Sequence, residues 1–311
     1  MSPLPRILCI AGPTGSGKTG MALRLAGFLA RHGRSAHIIN ADSRQVYRDF
    51  PIITAQPSPD EQKNFPHHLY GWLPSGNKIS AGEWSRLAEN AIGNALRQGC
   101  IPILVGGTGF YMKTLLDGIS EIPPVPSALH MKIIGERESY GTAYMHRRLL
   151  SIDPEYASKI HPNDKQRIMR ALEVWEATGC TFTWWHAQKT PSPAYEVLRL
   201  GVGMPLAELT PLLENRIHAM LEMGALKEAE NAMHRCPDMN APAWSGIGCM
   251  ELGRHLRGEI SLAECIAMWK ANTRAYAKRQ WTWFKADARI TWLSPLEYAR
   301  AEKIVTDFLS L

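Results

Sequence analysis

Gly12-Pro13-Thr14-Gly15-Ser16-Gly17-Lys18-Thr19 satisfies every fixed position of the phosphate-loop pattern G-x-x-x-x-G-K-[ST]. The glycines let successive backbone N–H groups turn inward on a phosphate, Lys18 adds a point charge, and Thr19 offers a hydroxyl to Mg²⁺. The flanks agree. Arg6-Ile7-Leu8-Cys9-Ile10-Ala11 reads as a buried strand, and 19–31 reads as a helix whose positive N-terminal end lies under the same phosphates. The loop alone does not say whose phosphates it holds.

Further along, 35–40 reads as a second parallel strand, with Ala41-Asp42-Ser43-Arg44-Gln45-Val46-Tyr47 at its end. Ligands of open α/β sheets bind beyond the carboxyl ends of the strands, so Asp42 is placed to face the loop's ligand. Equally, Asp42 or Ser43 can cap a short following helix. His67 and His68 are adjacent and so face opposite ways on a strand, which favours a structural over a metal-binding role. A helix is expected over 80–98, where Trp84, Leu87, Ala88, Ala91, Ile92 and Leu96 form a stripe that Gly99 ends. The strand 101–105 runs into Gly106-Gly107-Thr108-Gly109 where an ATPase carries its Walker B aspartate. Glycines there let a ligand or another backbone come close, or simply make a tight turn.

Ile122-Pro123-Pro124-Val125-Pro126 reads as a linker into a helical stretch, with helices over 140–150, 154–160 and 164–178 and Gly179 as a stop. Strand character returns at 195–202, and the last block from Pro205 is mainly helical. The expected fold is therefore α/β: a P-loop NTPase-like parallel sheet flanked by helices, with a helical insertion. The core would comprise 1–119 and 194–311 with its C-terminal helices, and the insertion 120–193.

The chain has 311 residues, 45% of them hydrophobic, which suits a globular α/β domain with an insertion. No apolar run approaches the ~20 residues of a membrane span, and Met1-Ser2-Pro3-Leu4-Pro5 lacks the regions of a secretory signal. A cytoplasmic protein is expected. The six cysteines contain no C-x-x-C pair, which argues against a zinc ribbon or a disulfide framework and for small core residues.

The net charge of +6 concentrates in two segments. One is Asp164-Lys165-Gln166-Arg167-Ile168-Met169-Arg170, with Lys159 and His161 upstream. In the other, 266–286, there is no acidic residue, and Lys270, Arg274 and Lys278 recur at i, i+4, i+8 on one helix face. A basic face beside aromatic residues suits a nucleic-acid backbone. Trp269, Thr273, Tyr276, Gln280 and Trp283 fall on another face, where the tryptophans read as core.

Taken together, GPTGSGKT (12–19), NADSRQVYRDF (40–50), TAQP (54–57), PHHL (66–69), GGTGFY (106–111), DKQRIMRALEVWEATG (164–179), RIHAML (216–221) and TRAYAKRQWTWF (273–284) resemble the bacterial tRNA dimethylallyltransferases, or tRNA isopentenyltransferases, in the family's order and over nearly the whole chain. The resemblance implies transfer of a dimethylallyl group from dimethylallyl diphosphate to N6 of the adenosine just 3′ of the tRNA anticodon (adenosine-37). It makes Gly12, Pro13, Thr14, Gly15, Ser16, Gly17, Lys18 and Thr19 a cradle for the diphosphate leaving group, with Arg216 a further contact. Asp42 becomes the general base for the weakly nucleophilic adenine amine, with Thr14 and Lys18 beside the reacting groups. Mg²⁺ is the implied cofactor, met by Thr19.

Contacts with the tRNA anticodon stem-loop carry over to Asp42, Ser43, Arg44, Gln45 and Thr108, and to Gln166, Arg167, Ile168, Met169 and Arg170; the basic helix adds Lys278 and Arg279. His130 stands where the family often has arginine, and Leu212 where many members have another. Cys249 and Met250 follow Ile247-Gly248, where an aromatic or basic residue is usual. The cysteine spacing offers no zinc finger of the eukaryotic kind. A monomer is expected. The competing readings are a nucleotide kinase, an RNA-binding module and a transferase acting on free adenine nucleotides. The missing Walker B aspartate and the DSRQ segment speak against the kinase; the basic helix and the insertion speak against so small an acceptor as AMP.

Overall fold

In the computed structural model, which describes residues 4–188 and 194–311, strand β1 (Arg6–Ala11) leads through the phosphate loop into helix α1 (Lys18–Arg31). Then come β2 (Ala36–Asn40), α2 (Pro59–Asn64), β3 (His67–His68), α3 (Ala81–Arg97), β4 (Ile101–Gly106) and α4 (Gly109–Asp117). Four helices follow: α5 (Ser127–Ile152), α6 (Pro154–Ala157), α7 (Lys165–Thr178) and α8 (Phe182–Ala187). After them lie β5 (Glu196–Val202), α9 (Leu206–Glu222), α10 (Ala225–Arg235), α11 (Cys249–Leu256), α12 (Leu262–Lys285), β6 (Thr291–Leu293) and α13 (Tyr298–Leu309).

The strands form one sheet in the order β3-β2-β4-β1-β5-β6, with every pairing parallel. A parallel sheet is covered on both faces, which is why its strands are apolar without alternation. Leu8 and Ile10 of β1 pack with α1 and α13; Ile7 and Cys9 pack on the opposite face with Trp84, Tyr111 and Phe284. Local signals set the helix starts: Ser80 and Glu83 form a reciprocal capping box before α3, and Ser261 and Glu264 do the same before α12.

The backbone divides into two compact units, Met1–Leu116 with Pro193–Leu311, and Asp117–Ser192. The smaller is helical and has its own core around Ile133, Met145, Leu149, Ile168 and Leu172. Gly141 (φ 79°, ψ 164°) is non-helical and breaks α5 in two; the second part matches the helix expected over 140–150, and the first, from Ser127, is an additional helix. The edge strands β3 and β6, two and three residues long, have no periodic signature in the sequence; pairing with β2 and β5 creates them. The histidines serve this edge: His68 Nε2 lies 3.1 Å from His37 Nδ1, and His67 Nδ1 hydrogen-bonds Phe65 O at 2.8 Å. Cys9, Cys100, Cys249 and Cys265 are buried, and all six cysteines are free thiols.

A second apolar cluster lies beyond the sheet, where Phe50 and Ile53 meet Trp244, Trp269 and α10. Buried Glu228 ties this loop down, accepting from Ile52 N at 2.7 Å and Ile53 N at 2.9 Å. Desolvation pushes its carboxyl above the usual range, against those two bonds. Glu228→Ala orphans both N–H groups, and a loss of about 2–4 kcal/mol is expected from denaturant midpoints. Glu230→Ala removes only an exposed partner of Lys227, so its midpoint should move by less than about 0.5 kcal/mol.

Candidate active site

Because β2, β4 and β1 are neighbours, the segments that follow them converge at one edge of the sheet. Beyond β1, the loop closes on itself: Lys18 Nζ donates to Pro13 O at 2.6 Å, and Ser16 N donates to Pro13 O at 3.3 Å. Gly12, at φ 148°, passes so close to β5 that a Cβ there would sit 2.1 Å from Val202 O. No other residue type fits.

Beyond β2, Asp42 sits in a short hydrogen-bonded turn. Asn40 Oδ1 accepts from Asp42 N at 2.8 Å, and Asp42 Oδ1 accepts from Arg44 N at 2.9 Å. No helix starts here; 43–49 are turns and bends with one isolated bridge, Tyr47 to Leu73. The carboxylate lines the cavity described below, and in place of the expected helix cap it caps a local turn through the Arg44 N–H. Arg44 Nη1 donates to Pro242 O and Ser245 Oγ, each at 3.1 Å. Gln45 Nε2 donates to Thr54 O and Ala55 O, so its amide hydrogens are engaged within the loop.

Beyond β4, Thr108 Oγ1 accepts from Ser43 N at 2.9 Å and donates to Ser43 Oγ at 3.2 Å. Burial, and then Asp42, pushes the Tyr276 phenol well up, so it stays a neutral donor. Gln280 of α12 joins two of the three loops. Its Oε1 accepts from Thr14 N and its Nε2 donates to Gly107 O, both at 2.8 Å. A Cβ on Gly107 would lie 2.2 Å from Gln280 Nε2 and 3.2 Å from Asp42 Oδ2, so a larger residue there would displace the Gln280 amide.

These groups frame a cavity of about 310 Å³. Thr14, Asp42, Ser43, Arg44, Arg216 and Arg279 supply its polar lining, while Ile53, Leu213, Ile217, Met220, Ile247 and Trp269 supply an apolar wall. Leu213, Arg216, Ile217 and Met220 recur at i, i+3, i+4 and i+7 of α9, one helix face delivering both kinds. Desolvation pushes Lys18 down to about 8, with Asp42 opposing and Arg216 reinforcing the shift. Desolvation also lowers Arg216, again opposed by Asp42. Two cations short of solvent beside one carboxylate form a site short of negative charge, which a bound anion relieves.

Of the residues expected from sequence, Thr14, Asp42, Ser43, Arg44, Arg216 and Arg279 line this cavity, and Thr108 supports it from behind. Lys278 is exposed on α12. Ile168 and Met169 correct the expectation of side-chain contacts with RNA: α7 turns both into the core of the smaller unit. In the first turn of that helix Lys165, Gln166 and Arg167 are exposed, and Arg170 beyond them is partly exposed. Arg167 pairs with Asp164 at 2.8 Å, and His130 Nδ1 lies 2.6 Å from Glu173 Oε1. Leu212 and Met250 are exposed, whereas Cys249 is buried. The aromatic face of α12, read as core, divides: Trp269 is 2% exposed and Trp283 48%. Gln280, Tyr276 and the apolar wall were not anticipated, although Gln280 and Tyr276 stand in the quoted 273–284 segment and the wall follows helical spacing from Arg216.

Mg²⁺ takes oxygen donors and keeps few protein ligands when phosphates supply the rest. The loop meets that demand. Thr19 brings a hydroxyl in the first turn of α1, the buried Ser16 hydroxyl has no hydrogen-bond partner, and the loop contains no soft ligand. These residues fit the ion.

Comparison with known proteins follows this geometry. The family model described as IPP transferase matches residues 45–287. Proteins named tRNA dimethylallyltransferase are 52% identical in Nitratidesulfovibrio vulgaris (strain Miyazaki F), covering 94% of this chain and 90% of that one. In Maridesulfovibrio salexigens the identity is 48%, covering 98% and 97%. The full-length tRNA isopentenylpyrophosphate transferase of Bacillus halodurans superposes with a TM-score of 0.71 at 30% identity, covering 98% and 97%. A eukaryotic dimethylallyltransferase acting on tRNA superposes with a TM-score of 0.80 at 29% identity, covering 98% of this chain and 80% of that one.

Lys18 carries its charge below about pH 8 and loses it above. Anion binding favours the charged form, so affinity for inorganic diphosphate, followed by calorimetry, should fall as pH rises through that value. Lys18→Met should bind more weakly below that pH and lack the drop, so that the two proteins converge as pH rises above it.

Proposed function

The chain belongs to the IPP transferase family, and from that membership we propose how its cavity works. The protein is a tRNA-modifying prenyltransferase. It transfers a dimethylallyl group from dimethylallyl diphosphate to N6 of adenosine-37, immediately 3′ of the anticodon, giving N6-(dimethylallyl)adenosine and diphosphate. The observation that carries the reading is Asp42: its carboxylate lines the same cavity as Thr14 and Arg216, between an anion cradle and an apolar wall.

The adenine amine is a poor nucleophile because its lone pair is delocalised into the ring. As N6 bonds to C1 of the dimethylallyl group, the C1–O bond breaks and its electron pair leaves with the diphosphate. Asp42 accepts the N6 proton. The backbone N–H groups of residues 15–19, Lys18 and Arg216 stabilise the charge that gathers on the leaving group, in a setting where desolvation strengthens each interaction. Thr19 would hold Mg²⁺, which would supply further positive charge to the leaving group. Ile53, Leu213, Ile217 and Met220 shelter the five-carbon chain and exclude water from an allylic centre that water would otherwise capture. The target base enters unstacked, which costs least for a loop nucleotide.

Ser43, Arg44, Lys278 and Arg279 of the larger unit, and His130, Gln166, Arg167 and Arg170 of the smaller, are the proposed RNA contacts, the smaller unit being given over to tRNA. Among the described residues no helix is long and apolar enough to cross a membrane, and we place a monomeric enzyme in the cytoplasm.

The test uses purified protein, labelled dimethylallyl diphosphate, and either unmodified tRNA or AMP. Label on tRNA is expected, with Asp42→Ala lowering kcat by about 10²–10⁴-fold while tRNA binding persists. No label on tRNA rejects the reading. Label on AMP alone makes the acceptor a free nucleotide, and ATP turnover makes the protein a phosphoryl-transfer enzyme.

A further inference from the structure

Gln280 lies toward the C-terminal end of α12 and is 5% exposed. A buried primary amide must place a donor and an acceptor, and here each meets a loop that ends a different strand. Oε1 accepts from Thr14 N, and Nε2 donates to Gly107 O. Both partners are main chain, so only one orientation of the amide satisfies them. The Gly107 turn is in turn packed against the base: a Cβ there would stand 3.2 Å from Asp42 Oδ2. One side chain thus spans the phosphate loop on one side and the wall beside Asp42 on the other.

We propose that Gln280 is a positioning residue for the transfer step, acting through Thr14 and Gly107 to fix the distance between the leaving-group cradle and the general base. This rests on the transferase reading above. The rest of the cradle does not depend on it. Lys18 is anchored on Pro13 O, Ser16 N is anchored on the same carbonyl, and α1 fixes the N–H groups that follow. Loss of the amide therefore leaves diphosphate binding in place and loosens Thr14, which faces the cavity with Asp42. The cost falls on kcat rather than on KM, since small errors in the spacing of reacting groups are felt in the transition state.

A carboxylate at this position separates hydrogen bonding from packing. In Gln280→Glu one oxygen still accepts from Thr14 N. The other faces Gly107 O as a second acceptor unless it is protonated. Burial raises a carboxyl's pKa, so the protonated form that restores the donor prevails toward acid pH. The variant should therefore work best relative to wild type at low pH and lose ground as pH rises.

The experiment measures steady-state transfer to unmodified tRNA for wild type, Gln280→Met and Gln280→Glu, with thermal melts alongside. For Gln280→Met, which keeps the volume and removes both hydrogen bonds, kcat should fall at least about tenfold with both KM values within about twofold. For Gln280→Glu, the ratio of its kcat to wild type should drop about tenfold between about pH 6 and about pH 9. The proposal is overturned if Gln280→Met keeps kcat within about twofold, or if its loss appears in KM alone. Should Gln280→Met not fold, the Gln280→Glu ratio decides, and a flat ratio rejects the positioning role. A wild type that labels no tRNA rejects the transferase reading itself, whereas an active wild type with an indifferent Gln280→Met rejects only this inference.

Discussion

Everything at the cavity depends on β2, β4 and β1 lying side by side and parallel. Parallel strands deliver all their carboxyl ends to one edge of the sheet, and the chain that leaves that edge must turn at once. Three turns from three distant parts of the sequence, at Gly12, Asp42 and Gly107, therefore share one small space. Both faces of the sheet are sealed by helices, so this edge is where polar backbone and ligand can meet.

The electrostatics follow from that crowding. Lys18 and Arg216 are drawn out of water by the packing that forms the cavity, and both are held below their ordinary range. Asp42 offsets part of the cost and is itself fixed by Asn40 and by the Arg44 N–H. A diphosphate would complete the charge balance. The proposed base and the anion cradle are thereby held in place together, which is the form of preorganisation that lowers a barrier.

Helices from the last third of the chain turn this edge into an enclosed site. α9 contributes Leu213, Arg216, Ile217 and Met220, and α12 contributes Trp269, Thr273, Tyr276 and Arg279. Along α12 Arg274, Lys278, Arg279, Lys285 and Trp283 are exposed and Lys270 is half-buried beside Glu214, while Trp269 and Gln280 are buried. One helix thus serves the hydrophobic cluster, the polar site and the surface, because its successive faces meet different neighbours.

The sequence by itself determined whatever rests on local chemistry. The phosphate loop, the apolar strands, the helices starting near Ser80 and Asp164, the stop at Gly179 and Asp42 at a strand end all declare themselves over a few residues. Backbone torsion and short-range hydrogen bonding decide such features. Tertiary structure alone decided the rest. The edge strands exist only because β2 and β5 offer them hydrogen bonds, Ile168 and Met169 are withdrawn from the surface by the core of their own unit, and Gln45 is spent on its loop. Gln280 looked like one more residue on a helix face. Its role came from the meeting of Thr14, Gly107 and α12, whose separation in sequence hides them from any local pattern, and from the physical demand that a buried amide find both its partners.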